Sequence, residues 1–107
     1  MFHLIVNLTT RTADLVATIQ DAVERMRPMC LAEPGCVSWD AYQCTVDPRV
    51  FTLVEVWESE EAWEAHGELE AIQTVYLPQI VPHADRAVYP SRRLATGWDG
   101  PVVRPPR

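Results

Sequence analysis

The segment LVEVWESEEAWEAH, residues 53–66, contains the change from strand to helix that decides the fold. Along Leu53–Trp57 the side chains alternate and both faces are mostly apolar, which is typical of a central strand covered on each side. Ser59 is a suitable N-cap, and the two glutamates after it complement the positive end of a helix dipole. The segment therefore predicts a strand over 50–58 followed by a helix that begins at Ser59.

The sequence on both sides of this segment supplies the remaining elements. The patterns predict a strand over 2–8, a helix from the following threonines to Cys30, a strand over 36–44 and a short edge strand over 86–89. We expect Pro28 to kink the first helix or end it early, Gly67 to weaken the second, and Pro78 and Pro82 to bound a loop. The resulting order β-α-β-β-α-β predicts an α+β, ferredoxin-like domain with a four-stranded antiparallel sheet and helices on one face.

Helices on one face leave the second face of such a sheet uncovered. Both central strands carry apolar side chains there in our interpretation, and a monomer would expose them to water. We predict that this uncovered face packs against a second copy to form a homodimer, and that its members are Leu4, Val6, Val54 and Val56. The helix-covered face is then predicted to carry Asn7, Glu55 and Trp57.

Composition limits the class of protein. The chain has 107 residues, 48% of them apolar, and a net charge of -6 with scattered arginines, which argues against nucleic acid as a partner. It has no apolar run near the ~20 residues of a membrane span and no signal-like segment, so we expect a cytoplasmic protein without membrane contact. Three cysteines without a C-x-x-C pair predict reduced thiols, and neither His3 nor His83 stands at metal-ligand spacing with a second ligand, so no metal site is expected.

Composition also divides the chain. Residues 1–90 have the patterns of the domain, whereas residues 91–107 are rich in arginine and proline and predict a flexible or loosely docked tail. The alternative is an arm that crosses to a neighbouring subunit and is anchored by Leu94, Trp98 and the pair Val102-Val103.

Several motifs in combination resemble the antibiotic biosynthesis monooxygenase family of dimeric α+β barrels. They are Asn7 late in the first strand, Glu33-Pro34-Gly35-Cys36, the strand and helix start of 53–62, and Ala65-His66. The resemblance covers residues 2–90 and implies a homodimer with a pocket between sheet and helices in each subunit. In many members that pocket oxidises phenols, quinols or anthrone-like aromatic polyketides with O2 and without metal or flavin, whereas other branches degrade haem or process small metabolites. The sequence departs from the family where Gly67-Glu68-Leu69-Glu70 follows the helical histidine.

Cofactor-free oxygenation needs a base, hydrogen-bond donors for a developing oxyanion, and a dry cavity. His66 is the candidate base, because imidazole exchanges protons near neutral pH, although a structural histidine has the same pattern. Asn7 and Trp57 are candidate donors, and Glu55 is either paired or a second base. The weaker substrate-binding candidates, for which packing is the alternative role, are Tyr42, Ser38, Trp63 and Tyr76.

The leading hypothesis is therefore a cofactor-independent monooxygenase that acts on a phenolic, quinol or anthrone-like aromatic substrate. The alternatives are a haem-degrading monooxygenase, with haem as substrate, and a non-enzymatic dimeric module that binds a small molecule.

Overall fold

The computed structural model describes residues 1–95, which form an open four-stranded antiparallel sheet with helices on one face. The elements are β1 (Phe2–Thr10), a 3-10 turn (Ala13–Leu15), α1 (Val16–Leu31), β2 (Cys36–Gln43), β3 (Val50–Trp57), α2 (Glu60–His66), a π-helix (Ala71–Ile80), a second 3-10 turn (Val81–His83) and β4 (Ala84–Ser91). The strand order β2-β3-β1-β4 places β1 and β3 in the centre. The predicted α+β ferredoxin-like fold is confirmed.

The register between β1 and β3 corrects the predicted faces of the sheet. Leu4 lies opposite Glu55 and Val6 opposite Leu53, so Leu4 and Val6 belong to the covered face and are buried. Asn7 lies opposite Thr52 on the open face. The predicted positions of Leu4, Val6 and Asn7 were therefore wrong. Both rows of β1 contain apolar side chains, so alternation alone does not indicate which row the helices cover.

A bulge changes the alternation along β2. The register shifts between Cys36 and Ser38, so Val37 is exposed while Trp39 lies opposite Glu55 on the covered face. Ser38 and Tyr42 lie opposite Val56 and Thr52, on the open face. These two candidate substrate-binding residues are therefore on the side of the sheet away from the helices.

The predicted apolar row of α1 is confirmed. Its buried side chains are Ile19, Ala22, Val23, Met26 and Cys30. The helix continues through Pro28 to Leu31, one residue beyond the predicted end at Cys30 and without ending early at the proline, because a proline near the C-terminal end removes only one of the remaining helical hydrogen bonds.

The second helical region consists of two helices. The hydroxyl of Ser59 accepts a hydrogen bond from the Ala62 amide at 3.1 Å, which confirms the predicted N-cap, and α2 ends before Gly67. The following π-helix passes through Pro78 to Ile80, so the predicted loop there is wrong. Because hydrogen bonds in a π-helix join residues five apart, its buried row differs from an α-helical one: Ala71, Val75, Tyr76 and Ile80.

The structure also bears on the predicted C-terminal boundary of the domain and on the predicted lack of a membrane span. The last strand continues to Ser91, and Leu94, a candidate anchor of the C-terminal arm, is exposed. The other anchors, Trp98 and Val102-Val103, lie outside the described residues, so the division at residue 90 stays a prediction. Within residues 1–95, none of the helices has the length and apolar character that crossing a bilayer requires.

Candidate active site

A buried histidine and glutamate form the centre of the candidate site. His66 Nδ1 lies 2.7 and 2.8 Å from the two carboxylate oxygens of Glu33, and only 5% of the His66 side chain and 9% of the Glu33 side chain are exposed. This contact favours a proton on Nδ1, which leaves Nε2 as the basic nitrogen of the neutral ring. Nε2 has no hydrogen-bond partner among residues 1–95 and is not among their fully enclosed polar atoms, so it faces open space.

The turn after α1 determines the distance between these two side chains. Gly35 has a φ of +81°, and a Cβ at this position would lie 2.6 Å from Cβ of Ala62. The carbonyl of Gly35 also accepts a hydrogen bond from the Glu58 amide at 2.8 Å. Ala62 and His66 are one helical turn apart, so the close approach at Gly35 brings His66 to Glu33. Glycine is required here both by its φ and by the lack of space.

Trp57 of β3 packs against the imidazole and is itself hydrogen-bonded to Glu55 of the same strand. The rings of Trp57 and His66 have centroids 4.7 Å apart, and Trp57 Nε1 donates to Oε1 of Glu55 at 3.0 Å. Burial raises the pKa of Glu55, and this effect outweighs the opposite effects of the Trp57 N–H and the nearby His66. The carboxyl group of Glu55 therefore keeps its proton to higher pH than an exposed glutamate.

The predicted donor pair of Asn7 and Trp57 is not assembled. Trp57 uses its N–H for Glu55, and Asn7 on the open face accepts a hydrogen bond from the Thr52 hydroxyl at 3.0 Å. Of the candidates from the sequence, the structure brings together His66, Trp57, Glu55, Trp63 and Tyr76 under the helices, and it leaves Asn7, Ser38 and Tyr42 on the other face.

Two neighbouring cavities adjoin His66. The first, here called the inner chamber, has a volume of about 40 Å³ and lies against the sheet, and the second, the outer cleft, has about 320 Å³ and is more open. Both are lined by the same five residues: Trp63, His66, Ile72, Tyr76 and Arg86. Trp63 is held by stacking on Phe2, with ring centroids 5.3 Å apart. The volume of the outer cleft is in the range of ligand pockets, ~300–1,000 Å³.

Arg86 contributes a positive charge to both cavities. It lies opposite Leu8 and so projects from β4 to the covered face, with Cζ 5.4 Å from the centre of the Tyr76 ring. Burial raises the pKa of Tyr76, although the guanidinium acts in the opposite direction. In the sequence Arg86 was only the first residue of an edge strand, because its face depends on the register with β1.

Sequence reasoning also missed Trp39 and the role of Glu33. Trp39 is 1% exposed, lines the inner chamber, and its Nε1 has no hydrogen-bond partner in the described part of the chain. Its N–H lowers the pKa of Glu55, but it lies outside hydrogen-bonding geometry. In the sequence Glu33 was only part of the motif Glu33-Pro34-Gly35-Cys36, since its contact with His66 joins residues 33 positions apart.

Cys30 adds a sulfur atom to the histidine and glutamate. Its Sγ, a Glu33 oxygen and a His66 nitrogen lie within 4.8 Å of one another, a grouping that could hold a metal ion. Burial, together with the nearby Glu33, raises the pKa of the Cys30 thiol far above its usual range, so binding would require the loss of a firmly held proton. The expectation of no metal site stays a prediction.

Comparison with known proteins places these features in a family. The family model described as antibiotic biosynthesis monooxygenase matches residues 1–76. No protein with a curated description matches the sequence significantly.

Solved structures share the fold at low sequence identity. One titled antibiotic biosynthesis monooxygenase is 20% identical with a TM-score of 0.81, covering 89% of this chain and 100% of its own. A protein from Nitrosomonas europaea, provisionally given the same name, is 21% identical with a TM-score of 0.80, with coverage of 89% and 100%. PA3566 from Pseudomonas aeruginosa is 19% identical with a TM-score of 0.76, with coverage of 88% and 95%. At these identities the likeness establishes the fold and not the substrate.

Proposed function

The chain belongs to the antibiotic biosynthesis monooxygenase family, and on this premise we propose that it is a cofactor-independent monooxygenase. Its proposed substrate is a phenolic, quinol or anthrone-like aromatic compound of polyketide type, oxidised with O2. The observation that carries the proposal is the buried pair of His66 and Glu33, in which His66 lines both cavities and its Nε2 has no partner among the described residues.

In this proposal His66 is the general base. Nε2 takes a proton from a phenolic hydroxyl or an activated C–H group, and the Glu33 carboxylate stabilises the imidazolium that forms. Such a pair acts as a base without a metal, because the carboxylate holds the ring in one tautomer and orientation. Glu33 is thus a positioning residue, since it acts through His66.

The electrons of the remaining steps come from the substrate and go to dioxygen, and His66 returns the proton. The deprotonated substrate transfers one electron to O2, and the two radicals combine to form a C–O bond. The resulting peroxide anion takes a proton back from the His66 imidazolium. Loss of the second C–H proton with cleavage of the O–O bond then gives a carbonyl group and water, so that CH2 and O2 become C=O and H2O.

The outer cleft suits a flat aromatic substrate. Trp63, Ile72 and Tyr76 offer aromatic and aliphatic surface, and His66 lies between the cleft and the inner chamber. Trp57 packs against the His66 ring, and Glu55 contributes a carboxyl group to the inner chamber. These residues are the proposed site, whereas Asn7, Ser38 and Tyr42 are outside it.

Oxygen uptake with a panel of anthrones and hydroquinones tests the proposal. We expect turnover by the wild type and a loss of about 100-fold or more in His66→Gln, in line with the removal of a general base. His83→Gln is the matched control, because His83 lies in the turn before β4 and lines neither cavity. Equal turnover in His66→Gln and the wild type would rule out His66 as the base.

Inactivity of the wild type with the whole panel would contradict the monooxygenase proposal itself. A Soret band on haem titration would then support haem as the substrate. Ligand binding without oxygen uptake would support a binding module.

We further propose a cytoplasmic homodimer formed through the open face. Cys30, Cys36 and Cys44 are free thiols, which supports a reducing compartment. Val54 and Tyr89 are 36% and 52% exposed on the open face, beside Ile5 and Val56, and such an apolar surface favours association. Sedimentation equilibrium at micromolar concentration should give a dimer, and Val56→Lys should give a monomer. A monomeric wild type would contradict the proposed dimer.

A further inference from the structure

We propose that Arg86 binds a carboxylate group of the aromatic substrate, so that this protein selects phenols, quinols or anthrones that carry an ionised acid group. The inference rests on the proposed monooxygenase function and narrows its substrate class. In this assignment the ring lies in the outer cleft, its carboxylate contacts the guanidinium, and the position that loses a proton faces His66.

Arg86 lies beside the proposed base. It belongs, together with His66, to the five residues that line both cavities. Arg86 is on the covered side of the sheet, because the register between β1 and β4 places it opposite the buried Leu8. A ring that occupies the outer cleft next to His66 is therefore close to the guanidinium as well.

Arg86 differs from the arginines that precede it in the chain, because it has no acidic partner. Each of those four forms an ion pair with an aspartate at 2.9–3.3 Å: Arg11, Arg25, Arg27 and Arg49. Within residues 1–95 no carboxylate forms an ion pair with Arg86. The whole chain has 15 acidic residues and 9 arginines, so a cation that lines a cleft without an acidic partner is unusual in this protein and is available to a ligand.

Contact with Tyr76 fixes the position of the guanidinium without using its hydrogen bonds. Cζ of Arg86 lies 5.4 Å from the centre of the Tyr76 ring, which is within the range of a cation–π interaction. That interaction uses the positive charge and leaves the N–H donors for an acceptor. A carboxylate suits these donors, because its two oxygens accept parallel hydrogen bonds from the fork of a guanidinium. A phosphate would bring more negative charge into a protein that is already acidic.

The acidic groups around the two cavities are compatible with this assignment. Glu64 also lines the outer cleft, but it is exposed and does not pair with Arg86. Glu55 lines the inner chamber and keeps its proton to higher pH, because burial raises its pKa. Glu33 accepts the hydrogen bond of His66. A carboxylate at Arg86 therefore displaces no existing ion pair.

The exposure of Arg86 limits the expected effect. Water solvates the N–H groups of an exposed guanidinium, and a carboxylate has to displace this water. Ion pairs in contact with water contribute less than enclosed ones, although the bidentate geometry and the cleft walls strengthen this one. We therefore expect the carboxylate to improve binding by about tenfold at low ionic strength.

Binding of two probes of equal shape that dioxygen does not attack tests the inference without turnover. Naphthoate carries the carboxylate, and naphthamide is its neutral counterpart. In isothermal titration calorimetry the wild type should bind naphthoate about tenfold more tightly than naphthamide, and added salt should reduce the difference.

Three arginine variants identify the group responsible. Arg86→Gln should bind both probes with the affinity that the wild type has for naphthamide. Arg86→Lys keeps the charge but lacks the fork, and should retain part of the preference. Arg92→Gln is the matched control, because it makes the same change in net charge at an exposed residue that lines neither cavity. Circular dichroism verifies that the variants are folded.

Three outcomes would overturn the inference. The first is equal binding of naphthoate and naphthamide by the wild type. The second is a preference for naphthoate that persists in Arg86→Gln. The third is an equal loss of preference in Arg86→Gln and Arg92→Gln, because net charge rather than a contact in the cleft would then be the cause.

Oxygen uptake distinguishes a failure of this inference from a failure of the monooxygenase function. With dihydroxynaphthoate and dihydroxynaphthamide as substrates, the wild type should have a lower KM for the carboxylate, and Arg86→Gln should have similar KM values for both. Turnover of both compounds by the wild type with the same KM would contradict the role of Arg86 and leave the monooxygenase function. A preference for naphthoate in a protein that oxidises neither compound would contradict that function and leave the carboxylate site.

Discussion

The covered and open faces of the sheet are both apolar but differ in the kind of side chain they carry. On the two central strands the covered face carries mainly long and aromatic side chains, such as Leu4, Leu53 and Trp57, whereas the open face carries mainly β-branched ones, such as Ile5, Val54 and Val56. Large side chains fill the space between a sheet and its helices, and β-branched ones make a flat surface. The titratable side chains of the candidate site, Glu33, Glu55 and His66, all lie on the helix side of the sheet, where burial raises the pKa of Glu55.

The largest expected effect compares one residue from each face. Trp57→Ala should lower the free energy of unfolding by about 3–5 kcal/mol, because it leaves a large cavity under the helices. Val54→Ala on the open face should cost less than about 1 kcal/mol in a dilute sample. Urea denaturation at two protein concentrations measures both. If the loss of stability in Val54→Ala grows with protein concentration, the open face is buried in a dimer. If Trp57→Ala and Val54→Ala lose the same free energy of unfolding in dilute samples, the two faces do not differ as described.

The second prediction concerns the turn that positions α2 on the covered face. Gly35→Ala combines a strained φ with a Cβ contact of 2.6 Å to Ala62, and should cost about 1–3 kcal/mol. It should also reduce oxygen uptake, because moving α2 separates His66 from Glu33. Gly67→Ala is the control, since Gly67 has an ordinary helical φ of -58°. Thermal unfolding measures both variants, and a lower Tm for Gly67→Ala than for Gly35→Ala would contradict the role of Gly35.

A smaller effect is expected from pH. Because burial raises the pKa of Glu55, the folded state binds its proton more tightly than the unfolded state. The contribution of the neutral Glu55 carboxyl to stability is complete at pH values below its pKa in the unfolded chain, ordinarily 4.5. It is lost as the pH rises through the higher pKa of the folded state. Glu55→Gln cannot ionise and can still accept the Trp57 hydrogen bond. The free energy of unfolding of Glu55→Gln, measured by urea denaturation, should therefore fall less than that of the wild type as pH rises from 4 to 8. If the two free energies change in parallel with pH, the pKa of Glu55 is not raised in the folded state.

The smallest expected effect separates the open face from the candidate site. Asn7→Ala removes the hydrogen bond with Thr52 and should cost about 1 kcal/mol, while oxygen uptake stays within about twofold of the wild type. The matched variant Thr52→Val removes the other partner and should behave in the same way. A large loss of turnover in Asn7→Ala alone would return this residue to the active site.

The element order, the Ser59 N-cap and the buried row of α1 could be predicted because they depend on local periodicity and capping. The faces of β1 could not, since both rows are apolar and only pairing with β3 tells them apart. The bulge after Cys36 and the π-helix change the period without a local signal. The central pair of the site joins Glu33 to His66 across β2 and β3, and no spacing in the sequence predicts such a contact.

The π-helix has a consequence for how relatives of this protein can diverge. Ile72 and Tyr76, which line both cavities, are on this helix, where backbone hydrogen bonds join residues five apart. Deleting one codon between them would favour ordinary α-helical spacing and rotate every later side chain of the segment. The loss of one residue from this helix, without any substitution of the lining residues, could therefore give a relative a cleft of different shape on the same sheet.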